Sequence, residues 1–108
     1  MKNVKIVVFV PLTHTNIIRE TIWKTGAGII GNYDYCSFSS IGTGRFKPND
    51  KAKPHIGRAN QLEEVKEERI EFICSNEKVK AIIKEIKKVH PYEEVALDIY
   101  PLLDKEEL

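Results

Sequence analysis

In NEKVKAIIKEIKKVHPYEEVALDIYP, residues 76–101, a single change of hydrophobic period decides the fold. Val79, Ile82, Ile83, Ile86 and Val89 recur at helical spacing with lysines and glutamates between them, so the segment forms an amphipathic helix. Ser75 or Asn76 stands where an N-cap belongs, and Pro91 ends the helix because proline carries no N–H and its ring clashes with the preceding turn. Past the proline, EVALDIYPL is rich in β-branched and aromatic types and forms a strand. Upstream, EEVKEERIEFICS alternates at its end, with Ile70, Phe72 and Cys74 on one side and Arg69 and Glu71 on the other, as a half-exposed strand does.

The first half of the chain repeats the theme. Residues 4–10, a run of valine, isoleucine and phenylalanine broken only by Lys5, form a buried strand ending at Pro11. THTNIIRETIWKTGAG then opens with Thr13 and Thr15 as N-cap candidates, carries Ile18 and Ile22 four apart and closes at Gly26, which defines a first helix. Tyr33 to Phe46 form an irregular extended strand, and KPNDKAKPHIGRANQ a long surface loop, about 47–61. The order β-α-β-β-α-β predicts an α+β, ferredoxin-like fold: a four-stranded antiparallel sheet with both helices on one face. Several strands are apolar on both sides, so a partner subunit is expected to cover the second face.

At 108 residues the chain supports one compact domain, with a frayed tail over 104–108. Apolar residues make up 42% and charged residues 31%, the composition of a soluble globular protein. Seventeen basic against 16 acidic side chains provide no basic excess for phosphates, so nucleic acid is excluded as a partner. No run reaches the eighteen or so apolar residues of a membrane span. Two cysteines without metal-ligand spacing, Cys36 and Cys74, point to free thiols in a reducing, cytoplasmic compartment.

Gly26, Gly28 and Gly31 spell a literal G-x-G-x-x-G. The dinucleotide fingerprint needs those glycines between a strand and the start of a helix, whereas here they follow a helix and precede a strand, so they are turn formers. Gly42 and Gly44 lack the lysine and hydroxyl of a P-loop and are assigned to a bend or bulge. Arg45, Lys47, Lys51, Lys53 and Arg58 with His55 make the long loop locally basic, suited to a phosphate or carboxylate if it closes over a cleft. His14, His55 and His90 lie far apart in sequence, without zinc-site spacing. His90 falls in the last turn of the second helix, where a cationic or hydrogen-bonding ring answers the unsatisfied carbonyls and the helix dipole, and Glu93 and Glu94 add carboxylates for a divalent ion or a proton-transfer pair.

GAGIIGNYDYCSFSSIGTGRFKP (26–48) and HPYEEVALDIYPL (90–102) together resemble the small domain inserted in bacterial YqfO proteins of the Nif-three-like family. The resemblance runs from the first strand to Leu102 and implies the fold of the CutA and PII signalling proteins, with a tendency to trimerise. Full-length members hold two metal ions in lobes flanking the insert and have been described by analogy as a type of GTP cyclohydrolase. Those lobes fall outside the 108 residues, so none of their metal ligands maps onto this chain. In the CutA group a similar His-Pro-Tyr-Glu run matches His90, Pro91, Tyr92 and Glu93. The PII sensing loop occupies the place of residues 47–61, which lack its nucleotide-binding pattern.

The combined expectation is a non-catalytic, homo-oligomeric regulatory or ligand-binding module, a trimer by resemblance with a dimer as the alternative, taking a divalent metal ion or small anion at subunit junctions. The ligand-binding candidates are His90, Tyr92, Glu93, Glu94, Asn32, Tyr33, Cys36 and Arg45, with His90 and Glu93 the metal candidates and no catalytic residue assigned. Two alternatives stand beside it: a small enzyme using His90 with Glu93 or Glu94, or Cys36 as nucleophile, and an accessory domain docking on a separate metal-carrying Nif-three-like protein.

Overall fold

A computed structural model describes residues 2–108. The elements are β1 (Asn3–Pro11), α1 (Thr15–Lys24), β2 (Phe38–Phe46), β3 (Glu63–Ser75), α2 (Val79–Val89) and β4 (Leu97–Pro101), with short 3-10 turns at 12–14, 76–78 and 105–107. The four strands form one sheet in the order β2-β3-β1-β4, and every pairing is antiparallel. This is the α+β, ferredoxin-like arrangement that the alternation of periods predicts.

The core follows from the two periods. Val4, Ile6, Val8 and Val10 alternate along β1 toward the helices, where they meet Ile18 and Ile22 of α1 and Ile82 and Ile86 of α2. Six isoleucines are essentially sealed from solvent, each contributing about 1.5–3 kcal/mol by burial. Ile83, expected on the same stripe, sits at its margin and is only half-buried.

Three local expectations are corrected. Neither helix has a side-chain cap: each is entered through a 3-10 turn, and the Thr15 hydroxyl instead donates backward to the Leu12 carbonyl. β2 begins at Phe38 rather than Tyr33, because residues 26–37 form a turn-rich segment pinned to β3 by Gly28 N–H donating to Ile73 O at 2.8 Å. β2 pairs with β3 in unbroken register from Phe38 opposite Glu71 to Phe46 opposite Glu63, so Gly42 and Gly44 mark no bulge.

The face away from the helices carries apolar side chains, as expected, but charged ones share it. There Phe9 stands opposite Arg69, whose guanidinium lies 5.8 Å from the phenyl centroid and pairs with Glu71 at 3.3 Å. Val7, between Glu71 and Asp98 in the register, is fully buried. Long charged side chains thus cover the apolar atoms with their own stems. Exposed apolar side chains remain on this face at Phe38, opposite Glu71, and Tyr100, opposite Lys5, and others stand at Tyr33, Tyr35 and Ile41.

Candidate functional site

The corner after α2 is built by a proline. Pro91 disfavours helical backbone at the preceding residue, and His90 accordingly adopts φ −76°, ψ 134° as the C-cap, its N–H still donating to Ile86 O at 2.9 Å. That turn swings the imidazole inward instead of along the helix axis, and only 7% of His90 is exposed. Its Nδ1 lies 3.1 Å from the Tyr92 backbone nitrogen and its Nε2 2.8 Å from the Phe9 carbonyl oxygen. A backbone N–H can only donate, so Nδ1 accepts and Nε2–H donates to Phe9 O, which defines a neutral ring. Burial pushes the His90 pKa below its ordinary value, against the opposing pull of the Phe9 hydrogen bond and the Glu67 charge. Of the cationic or hydrogen-bonding ring expected there, the structure has the hydrogen-bonding one, a neutral bracket between α2 and β1 with both nitrogens committed.

Tyr92 continues the chain of contacts. Its hydroxyl donates to Glu67 Oε2 at 3.0 Å, and burial, together with that carboxylate, pushes its pKa well above the usual phenol range. Around its ring stand Phe46, His55 and His90, with centroids at 6.0, 6.3 and 5.1 Å, and His14 meets His55 edge-on at 5.7 Å. The three histidines, scattered over 76 positions of sequence, thus converge at one end of the sheet.

Between the 90–96 corner, the end of β2 and the loop that follows it lies a cavity of about 390 Å³. Phe46, Pro48, Pro54, Ile56 and the Tyr92 ring supply apolar walls, and Glu67 lies in its lining. The loop is held over this space by Lys53 N–H donating to Glu93 Oε1 at 2.7 Å and by Asn60 N–H donating to Pro48 O at 2.6 Å. Gly44 makes room for the acid: a Cβ there would fall 1.9 Å from Glu67 Oε1.

The candidate residues divide between two places. His90, Tyr92, Glu93, Glu94 and Arg45 gather at this end of the sheet, and all but His90 line the cavity itself. Arg45 is exposed and pairs with Glu64 at 3.2 Å. Asn32, Tyr33 and Cys36 lie on the 26–37 segment, which docks at Ile73, six residues and about 20 Å along β3 from Glu67. The half-exposed Cys36 thiol faces the carbonyls of Tyr33 and Asp34, at 3.6 and 3.8 Å. Among the described residues no group of three or more histidine, cysteine or acidic side chains is arranged around a metal position. Glu67 and Phe46 are cleft residues that sequence reasoning missed, as it did the contact of His14, outside the lining, with His55. Gly44 inside a strand was the available signal, since such a glycine marks the close approach of another group.

The fold defines a class: a ferredoxin-like α+β unit with the CutA architecture. The Archaeoglobus fulgidus protein titled periplasmic divalent cation tolerance protein CutA superposes with a TM-score of 0.70 over 98% of this chain and 91% of its own, at 17% identity, which establishes the fold alone. No family model matches the chain. The sequence relatives are longer proteins. One from Halalkalibacterium halodurans, called GTP cyclohydrolase 1 type 2 homolog, is 48% identical over 103 residues, 95% of this chain and 28% of the relative. Its Bacillus subtilis counterpart is 48% identical over 98 residues, 91% of this chain and 26% of the relative. A Bacillus cereus protein related to NIF3 matches with a TM-score of 0.83 at 46% identity, covering 95% of this chain and 26% of that one. The chain is thus homologous to about a quarter of these NIF3-related proteins.

Proposed function

We propose that this chain is a non-catalytic, homo-oligomeric ligand-binding module of the Nif-three-like family, with the cleft beneath the 47–56 loop as its ligand site. The observation that carries the reading is the cavity of about 390 Å³ beside the Lys53–Glu93 hydrogen bond, which ties the loop to the 90–96 corner across 40 positions of sequence. Its chemistry supports binding rather than turnover: His90 is locked as a neutral bracket and the Tyr92 hydroxyl holds its proton tightly. Assembly is supported by β2, an edge strand that leaves Phe38 69% and Ile41 65% exposed. A trimer is the preferred state, by resemblance to the CutA and PII groups. The two free thiols fit a cytoplasmic setting.

Sedimentation analysis combined with thermal-shift titrations against divalent metals, nucleotides and small anions tests this reading. A trimer that Ile41→Lys dissociates, and a Tm that climbs with the concentration of one ligand class, are expected. A well-folded monomer at micromolar concentration, with no ligand raising Tm, overturns it.

The quarter-length match favours a second reading, in which the module docks on metal-carrying lobes like those of its longer relatives. Co-purification with a NIF3-related partner supports that reading, and a homogeneous oligomer without one counts against it.

A further inference from the structure

We infer that the cleft takes a small organic cation, a protonated amine or amidinium on a flat apolar body, with Glu67 as its counter-ion. The inference rests on the cleft being a ligand site and goes further by naming the charge and shape of the ligand.

Two neighbouring acids carry the argument. Glu67 and Glu68 are equally buried, each 9% exposed, and point to opposite faces of β3. Glu68, on the helix side, is neutralised by the Arg19 guanidinium. Glu67, on the cleft side, takes part in no ion pair among the described residues, and the Tyr92 hydroxyl is its side-chain partner. A carboxylate that deep is costly without a matching cation. Glycine at position 44 nevertheless preserves the space in which it lies, since any Cβ would displace it.

The surroundings decide which cation fits. The charged and basic residues lining the cavity are Arg45, Lys47, His55, Glu67, Glu93 and Glu94. All of them are exposed at the rim except Glu67, so no buried cation awaits an anion. Glu93 is occupied by the Lys53 N–H and Arg45 by Glu64. A bare metal ion needs several donors around one point, and among the described residues no three histidine, cysteine or acidic side chains are so arranged. The rings of Phe46, Tyr92 and His55 and the flanking Pro54 and Ile56 suit instead a planar apolar group, whose positive charge also gains from the aromatic faces.

Benzamidine, benzamide and benzoate form a matched test, nearly equal in size and differing in charge. Binding to the full chain is measured by calorimetry and by amide chemical shifts of Gly44 and Tyr92. Benzamidinium is expected to bind at least tenfold more tightly than benzamide, with benzoate weaker still. Glu67→Gln, which can keep an oxygen for the Tyr92 hydroxyl, is expected to remove that tenfold advantage and leave benzamide unchanged. Because the wild-type ranking alone decides the sign, a misfolded variant does not rescue the inference. Benzoate as the tightest binder, or equal binding of the charged and neutral probes, overturns the cation while leaving the cleft as a ligand site. Shifts of Gly44 and Tyr92 with none of the three overturn both. Binding confined to the monomeric Ile41→Lys variant means that a second copy fills the cleft, which overturns the small-ligand assignment.

Discussion

The two ends of β3 serve opposite kinds of neighbourhood. Near Glu67 the strand meets a closed one, where His90, Tyr92 and the Lys53–Glu93 contact satisfy each other within the chain around a cavity. Near Ile73 it meets an open one, where the 26–37 segment hangs on backbone hydrogen bonds and leaves Tyr33 75% and Tyr35 63% exposed. Both regions are rich in aromatics and glycine, so composition does not distinguish them. What distinguishes them is whether the aromatic rings line a cavity or stand exposed, which makes the first region a candidate ligand site and the second a candidate contact surface.

The comparison breaks most sharply at His90. His90→Ala strands the Tyr92 N–H and the Phe9 carbonyl and is expected to cost about 2–4 kcal/mol in chemical denaturation, whereas Tyr33→Ala costs less than about 0.5 kcal/mol. The same residue sets a pH dependence. Its folded pKa lies below the unfolded value, so the unfolded state binds the proton more readily. The contribution is complete above about pH 6.5 and is lost as pH falls from there toward the folded pKa. Tm should therefore decline on acidification below about pH 6.5, and His90→Asn should flatten that part of the profile; an unchanged slope would refute the neutral-bracket assignment.

A smaller effect is expected at the open end. Gly28 has φ +77°, and a Cβ there would lie 2.6 Å from the Cys36 carbonyl oxygen. Gly28→Ala should cost about 1–3 kcal/mol and release the 26–37 segment, seen as faster amide exchange at Cys36, while the shifts of Tyr92 stay fixed. Shifts that move at both ends would show that the two regions are coupled. The mildest probe is alkylation. Iodoacetamide should modify half-exposed Cys36 in the native protein and spare Cys74, which is 5% exposed and whose thiol pKa is raised by burial. Modification of Cys36 should change stability by less than about 0.5 kcal/mol, and equal reactivity of the two thiols would contradict the packing.

The literal glycine motif illustrates how local signals mislead and inform at once. Gly26, Gly28 and Gly31 all have positive φ and form turns after α1, as their position behind a helix requires. Gly44 has no unusual φ, and its role became visible only with Glu67 beside it. The expected helix caps failed for a related reason: the chain enters each helix through a tight turn that leaves no side chain in capping position. The start of β2 was misplaced because Tyr33, Tyr35 and Phe38 share strand-like chemistry, yet only Phe38 finds a partner on β3.

Period and punctuation in the sequence sufficed for the order of strands and helices, the isoleucine core and the corner at Pro91, since each depends on residues within a few positions of one another. They did not separate Tyr92, Glu93, Glu94 and Arg45 from Asn32, Tyr33 and Cys36, which the fold sets at the other end of β3. Which glutamate of EEVKEER turns into the cleft, which way the His90 ring faces and how His14 and His55 join it depended on strand register and loop closure. Those are set by packing and hydrogen bonds between residues 17 to 81 positions apart, for which a local pattern carries no signal.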